Sequence, residues 1–210
     1  MAATPPDSGQ TGSRRIILAS ASAARASLLR GAGVAFAVEP AAIDETAVKQ
    51  AARRRGETAL AAATVLAAEK ACAMSRRHPD SLVIGADQLL ACGEEWFDKP
   101  RDLGEAREQL LKLRGRAHIL ATAVCAAEAG VPVWHATSIP ELTMRCFSEE
   151  FLDAYLVAEG EALLDSVGAY RLEGNGVQLF SKIGGDYFAI LGLPLVELLG
   201  FLRDRGLLPA

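Results

Sequence analysis

"RIILASASAARASLLRGAG", residues 15–33, carries the chain from a short apolar strand into a helix, and that pairing decides for an α/β protein. Ile16 to Leu18 reads as a buried strand. Ser20 or Ser22 then caps a helix bearing Leu28 and Leu29, which stops near Gly31 and Gly33. A helix start exposes unpaired N–H groups and a partial positive charge, so a turn that adds Ser20, Ser22 and Arg25 suits phosphate. Read alone, the same turn is an ordinary serine cap beside a solvated arginine.

The alternation continues along the chain. A longer helix covers roughly 57–77, where Ala63, Ala67, Ala71 and Met74 recur at helical spacing, and "SLVIGA" follows as a buried strand. Asp102 and Glu105 form a capping box ahead of Ala106, Leu110 and Leu113, with Gly115 as the stop. "AHILATAVCAA" and "VPVWHAT" flank "EAG" as the arms of a hairpin. Ser148, Glu149 and Glu150 start a helix whose apolar side includes Phe151 and Tyr155. "GVQLFSKI", "GGD" and "YFAIL" read as strand, tight turn, strand. Pro194 opens a last helix with Leu195, Leu198 and Leu202 on one side, ended by Gly206. This order predicts an α/β fold with a mixed sheet wrapped by helices, and two lobes around a cleft.

Bulk properties narrow the function. With 210 residues, 50% of them apolar, the chain can bury a sizeable core. A net charge of -4 leaves no basic field for sequence-independent binding to nucleic acid or to an anionic membrane. Cys72, Cys92, Cys125 and Cys146 show neither CxxC spacing nor a cysteine-histidine cluster, which predicts reduced thiols. No uninterrupted apolar run reaches the roughly 18 residues of a membrane span. The start, "MAATPPDSGQTGSRR", lacks the apolar core of a signal peptide. It reads as a flexible tail over 1–14 ahead of a single domain over 15–210, in a reducing cytoplasm.

Charged residues collect where a cleft would form. "AAIDET" places Asp44 and Glu45 after the first strand-helix unit, "VIGADQ" places Asp87 directly after an apolar strand, and "FDKP" sets Lys99 on a proline-stiffened loop. Ligands in α/β sheets bind outside the carboxyl ends of strands, where Asp87 would project. Each charge alone is equally a solvated surface group, and Lys70 on its alanine-rich helix is equally a snorkelling side chain.

Taken in order, "LASASAARASLLRGAG", "IDE", "AAEKA", "VIGADQ", "DKPRD", "LRGRAH", "GAYRLEG" and "GLPL" resemble the Maf-family nucleoside triphosphate pyrophosphatases over nearly the whole chain after the tail. The resemblance implies an elongated mixed sheet flanked by helices, similar to the inosine triphosphatases, with the active site between two lobes. It implies cleavage of a nucleoside triphosphate by water between its α and β phosphates, with a divalent metal, Mg²⁺ or Mn²⁺, offsetting charge. By position it assigns Ser20, Ser22, Arg25, Lys70 and Lys99 to phosphate, Asp87 to catalysis, and Glu45 with Asp87 to the metal. Which carboxylate binds metal and which accepts the proton stays open. Asp165 fits the family pattern, whereas Ser166 stands where many members have lysine.

Three positions bear on the base. Members similar to thymidine and uridine triphosphate hydrolases carry arginine, threonine and glutamine where this chain has Ala24, Gln88 and Glu173. The set found here is more similar to the subgroup acting on 7-methyl-GTP. A carboxylate at Glu173 accepts hydrogen bonds from the N1–H and amino group of guanine, whereas an amide suits a pyrimidine edge. The alternatives are a dTTP/UTP pyrophosphatase, or a nucleotide-binding regulator of cell division with incidental catalysis. The resemblance also implies a homodimer.

Overall fold

The opening stretch forms β1 (Ile16–Leu18) and α1 (Ala23–Gly31), with Ser22 as the cap. A computed structural model describes residues 14–209, so the tail expected over 1–14 lies, Arg14 excepted, outside the described residues. After α1 come β2 (Ala37–Val38), α2 (Glu45–Arg54) and α3 (Ala59–Arg77). Next are β3 (Leu82–Cys92), β4 (Glu95–Phe97), α4 (Leu103–Leu113), β5 (Ala117–Glu128), β6 (Val131–Ser138) and β7 (Glu141–Met144). The chain finishes with α5 (Glu149–Glu159), two 3₁₀ turns, β8 (Phe180–Gly184), α6 (Tyr187–Ile190) and α7 (Leu195–Asp204). Among the described residues no helix is long and apolar enough to cross a membrane.

The strands make one eight-stranded sheet in the order β2-β1-β3-β5-β7-β8, with β4 paired to β3 and β6 to β5. β1 runs parallel to β2 and β3, and every other pairing is antiparallel. The expected hairpin is β5–β6. Ala129 and Gly130 both take positive φ, 47° and 85°, as a type I′ turn demands.

Two cores hang on the same long strands. Ile84 and Ala86 of β3 and Val124 of β5 pack with Leu18, Leu29 and Leu198 at one end. Leu90 of β3 and Leu120 of β5 pack with Leu110, Leu142, Leu152 and Tyr170 at the other. Between these ends lie Asp87 and Gln88, so the cleft opens where the sheet passes from one core to the next. On one face α3 covers this junction with Ala63, Ala67 and Ala71. The approach is very close: a Cβ on Gly85 would stand 2.3 Å from the Ala67 carbonyl oxygen and 2.6 Å from the Ala71 nitrogen. That spacing explains the alanine-rich face of α3, because larger residues would hold helix and strand apart.

Four local expectations need correction. Asp87 is not beyond a strand end, because β3 continues through Gln88 to Cys92 against β5. It is the parallel neighbour that stops: β1 pairs with β3 only as far as Leu18 opposite Ile84, which leaves the edge of β3 open beside Asp87. "YFAIL" is helical rather than a strand. Asp186 accepts hydrogen bonds from the Phe188 and Ala189 N–H groups, and this cap turns the apolar run into α6. "GVQLFSKI" is a 3₁₀ turn over its first half and joins the sheet only from Phe180. The Asp102 cap of α4 forms as expected, but Glu105 reaches back to the Arg101 N–H rather than to that of Asp102.

Candidate active site

A cavity of about 420 Å³ fills the open edge of β3, within the size range of small-molecule sites. Every site residue expected from the sequence lines it: Ser20, Ser22, Ala24 and Arg25 from the first turn, Glu45 and Lys70 from α2 and α3, Asp87 and Gln88 from β3, Lys99 from the loop after β4, and Glu173 from the segment before β8. Asp44 serves as the cap of α2, accepting the Ala47 N–H at 2.9 Å, and this turns its neighbour Glu45 toward the cavity.

The first turn is built to donate. Ser20 Oγ accepts from the Ser22 N–H at 3.2 Å and from Arg25 Nη1 at 3.1 Å, so its two lone pairs are engaged and its own hydrogen remains to donate. Ser22 Oγ takes the Arg25 N–H and its carbonyl takes that of Ala26, while the Ala23 and Ala24 N–H groups, the first of the helix, are left over.

Arg25 is not a solvated first-turn arginine. It is buried, donating through Nε to the Gly192 carbonyl at 2.8 Å and through Nη1 to the Ala86 carbonyl at 2.9 Å. These bonds leave Nη2 for a ligand. Burial pulls the guanidinium pKa down, against the raising effect of Asp87 and Glu45. Arginine still stays charged.

Opposite the turn, a row of alternating charges crosses the cavity. Lys70 Nζ lies 2.5 Å from Asp87 Oδ1 and 2.7 Å from Glu45 Oε1. Lys70 and Asp87 are both buried, and the close α3–β3 approach at Gly85 brings them together. Lys70 is therefore an ion-paired interior lysine, not a snorkelling one. Burial works against the Glu45 carboxylate, but its hydrogen bond to Lys70 and the charges of Lys70, Lys49 and Arg25 outweigh that and hold its pKa below the usual value.

Lys49 and Asp98 extend the row, with Lys49 Nζ 2.6 Å from Asp98 Oδ1 and 3.8 Å from Glu45 Oε2. Sequence reasoning missed both. The i,i+4 spacing of Glu45 and Lys49 would have signalled the lysine, had α2 been recognised as a helix. Asp98 had no signal beyond its place beside Lys99. Lys99 is exposed and has no ion-pair partner among the described residues.

The other half of the cavity is less charged. Leu120, Val167, Tyr170 and Leu172 form its wall, with Asp165 and Ser166 at its margin. Gln88 donates from Nε2 to Thr122 Oγ1 at 2.8 Å and to the Ala189 and Ile190 carbonyls at 2.8 and 3.1 Å. Carbonyls only accept, so the amide orientation is fixed and the Gln88 Oε1 remains for a ligand. Glu173 is exposed, its carboxylate 3.8 Å from Arg171 Nε.

A sequence profile of the family described as Maf-like protein matches residues 15–205. The chain belongs to the Maf family. Among its Maf relatives, a protein of Granulibacter bethesdensis named nucleoside triphosphate pyrophosphatase is 58% identical over 191 residues, covering 91% of this chain and 97% of that one. One of Paramagnetospirillum magneticum with the same name is 54% identical, covering 90% and 98%. One of Rhizobium etli, named 7-methyl-GTP pyrophosphatase, is 46% identical, covering 91% and 96%.

Proposed function

We propose that this Maf protein hydrolyses 7-methyl-GTP to the monophosphate and pyrophosphate, with a divalent cation as cofactor. The coarser activity is that of a nucleoside triphosphate pyrophosphatase, a hydrolase of acid anhydrides, in keeping with the names of its relatives. The observation that carries the proposal is the pairing of Asp87 with Lys70 and Glu45 at 2.5 to 2.7 Å in one cavity with Arg25, Ser20 and Lys99.

Phosphoryl transfer asks a protein chiefly for positioning and for neutralisation of charge. Arg25 Nη2, the Ser20 hydroxyl and the free α1 N–H groups donate to phosphate oxygens, and Lys99 closes over the triphosphate from the mouth. Asp87 accepts the proton of the attacking water through Oδ2, since Oδ1 is engaged by Lys70. The water oxygen bonds to the α phosphorus, the bond to the bridging oxygen breaks, and pyrophosphate leaves. Among the described residues no three His, Cys, Asp or Glu side chains cluster to cage a metal. Two carboxylates, Glu45 and Asp87, suit Mg²⁺ or Mn²⁺, hard cations that take oxygen ligands and complete their shell with water and phosphate. When bound, the cation neutralises phosphate charge and polarises the scissile group.

Support for guanine as the base comes from Glu173 and Gln88, and support for its 7-methyl form from the printed names of relatives such as that of Rhizobium etli. Both cavity-facing oxygens accept, which matches the donor edge of guanine. The test is pyrophosphate release across 7-methyl-GTP, GTP, dTTP and UTP, with Mg²⁺ and with a chelator. The highest kcat/KM is expected for 7-methyl-GTP, with activity lost in chelator and restored by Mg²⁺ or Mn²⁺. Preference for a pyrimidine refutes the base assignment, and full activity in chelator refutes the metal.

A further inference from the structure

The sequence segments "LRGRAH" and "GAYRLEG" contain His118 and Tyr170, and none of the phosphate or metal assignments uses either residue. The fold joins them. His118 Nε2 lies 2.9 Å from the Tyr170 hydroxyl, and both residues are buried, 2% and 5% exposed. His118 comes from β5 and Tyr170 from the segment between the 3₁₀ turns, so the bond ties an irregular stretch to a central strand.

We propose that His118 is a positioning residue that fixes Tyr170 as the wall against which the nucleobase lies. The inference rests on the nucleotide reading above and extends it to a residue outside the cavity lining. Tyr170 lines the cavity, while His118 stands behind it and does not. The ring of Tyr170 is held on its other sides too. Phe180 meets it edge-on at 4.9 Å between centroids, and a Cβ on Gly168 would come within 2.9 Å of it. Gly168 also takes a φ of 78°, so glycine suits that turn on two counts.

One torsion remains to be controlled, and the hydroxyl is the only polar handle by which a buried tyrosine can be held. Whichever nitrogen of the neutral imidazole carries the hydrogen, one hydrogen bond links the pair. Leu120, next but one to His118 on β5, lines the cavity beside Tyr170, as does Leu172. The triphosphate has its donors in the first turn and the charged row, which leaves this apolar wall for the flat base.

The test uses steady-state kinetics with the best nucleoside triphosphate of the wild-type enzyme, and inorganic tripolyphosphate as a competitive inhibitor that has no base. Tyr170→Phe keeps the ring and removes only the hydroxyl. It should raise KM about three- to tenfold, the worth of one hydrogen bond, with kcat within about twofold. His118→Phe should do the same, and the double variant should be no worse than either single one. Inhibition by tripolyphosphate should be unchanged throughout. Wild-type KM in Tyr170→Phe, additive losses in the double variant, or an equal loss of tripolyphosphate binding would each overturn the proposal. Should His118→Phe fail to fold, Tyr170→Phe still decides it. A wild-type enzyme without turnover of any triphosphate would instead break the functional reading beneath.

Discussion

The two halves of the cavity are made differently. The half proposed for phosphate is drawn mostly from regular elements, the start of α1, one face each of α2 and α3 and the middle of β3, with Asp98 and Lys99 added from the loop after β4. Asp87, Lys70, Glu45, Lys49 and Asp98 follow one another in it at 2.5 to 3.8 Å and brace themselves. Beyond Gln88 of β3 and Leu120 of β5, the half proposed for the base is drawn from 3₁₀ turns, a four-residue helix and the loop between the turns, held by a few hydrogen bonds from Gln88 and by that of His118. A triphosphate is the same in every substrate and rewards a fixed receptor, whereas a base differs and can be selected by a few replaceable side chains. Substitutions in the first half should therefore lower activity for all bases alike, and those in the second should change their ranking.

The largest effect is expected for Asp87→Asn. It keeps the shape but loses charge and basicity, so kcat should fall on the order of a thousandfold for every triphosphate. Lys70 retains Glu45 as its partner, and the protein should still melt cooperatively. Single-turnover kinetics beside a thermal melt check both points. A rate near that of wild type would remove Asp87 from the chemistry.

Arg25→Ala comes next. Loss of a charge clamp should lower kcat/KM about a hundredfold. An exposed helix-start arginine would leave stability unchanged, but this one donates to Ser20 and to the Ala86 and Gly192 carbonyls. Its removal strands buried acceptors and should cost about 1–3 kcal/mol in denaturant unfolding. An unchanged midpoint would mean that the buried arrangement contributes nothing to folding.

The smallest effect on the rate is expected at His118, whose contribution is to stability as a function of pH. Burial lowers its pKa to about 4, against 6.5 when exposed. On acidification the unfolded chain takes the proton first, so this contribution is intact above about pH 6.5 and is lost between there and about pH 4. The slope is at most about 1.4 kcal/mol per pH unit. Urea midpoints should fall across that window in wild type and less steeply in His118→Phe. Equal slopes would mean that other groups govern acid stability.

What could be seen in the sequence follows the same division. β1, α1, α3, the start of β3, α4, the β5–β6 hairpin and α7 announce themselves by apolar pattern and caps, and α1, α3 and β3 among them carry Arg25, Lys70 and Asp87. Asp87 and Lys70 could be named, but not that Gly85 draws α3 onto β3 and joins them, because that contact depends on tertiary approach rather than on local pattern. α2 was missed: its start at Asp44 has a good cap, but its alanine and arginine content shows little apolar period, and only Ala52 is buried. The sequence of α6 reads equally as a strand because four apolar residues carry no period of their own, and only the Asp186 cap separates the two. The His118–Tyr170 bond spans 52 residues, a distance at which no spacing rule applies.

The division between the halves is tested most directly by the ratio of kcat/KM for 7-methyl-GTP to that for UTP, measured in wild type, Arg25→Ala and Glu173→Gln. Arg25→Ala should lower both constants and leave the ratio within about twofold of wild type, because phosphate is common to both substrates. Glu173→Gln should shift the ratio about tenfold toward UTP, since the new amide mismatches guanine's donor edge. A ratio that moves in Arg25→Ala, or one that stays fixed in Glu173→Gln, would contradict the assignment of the two halves.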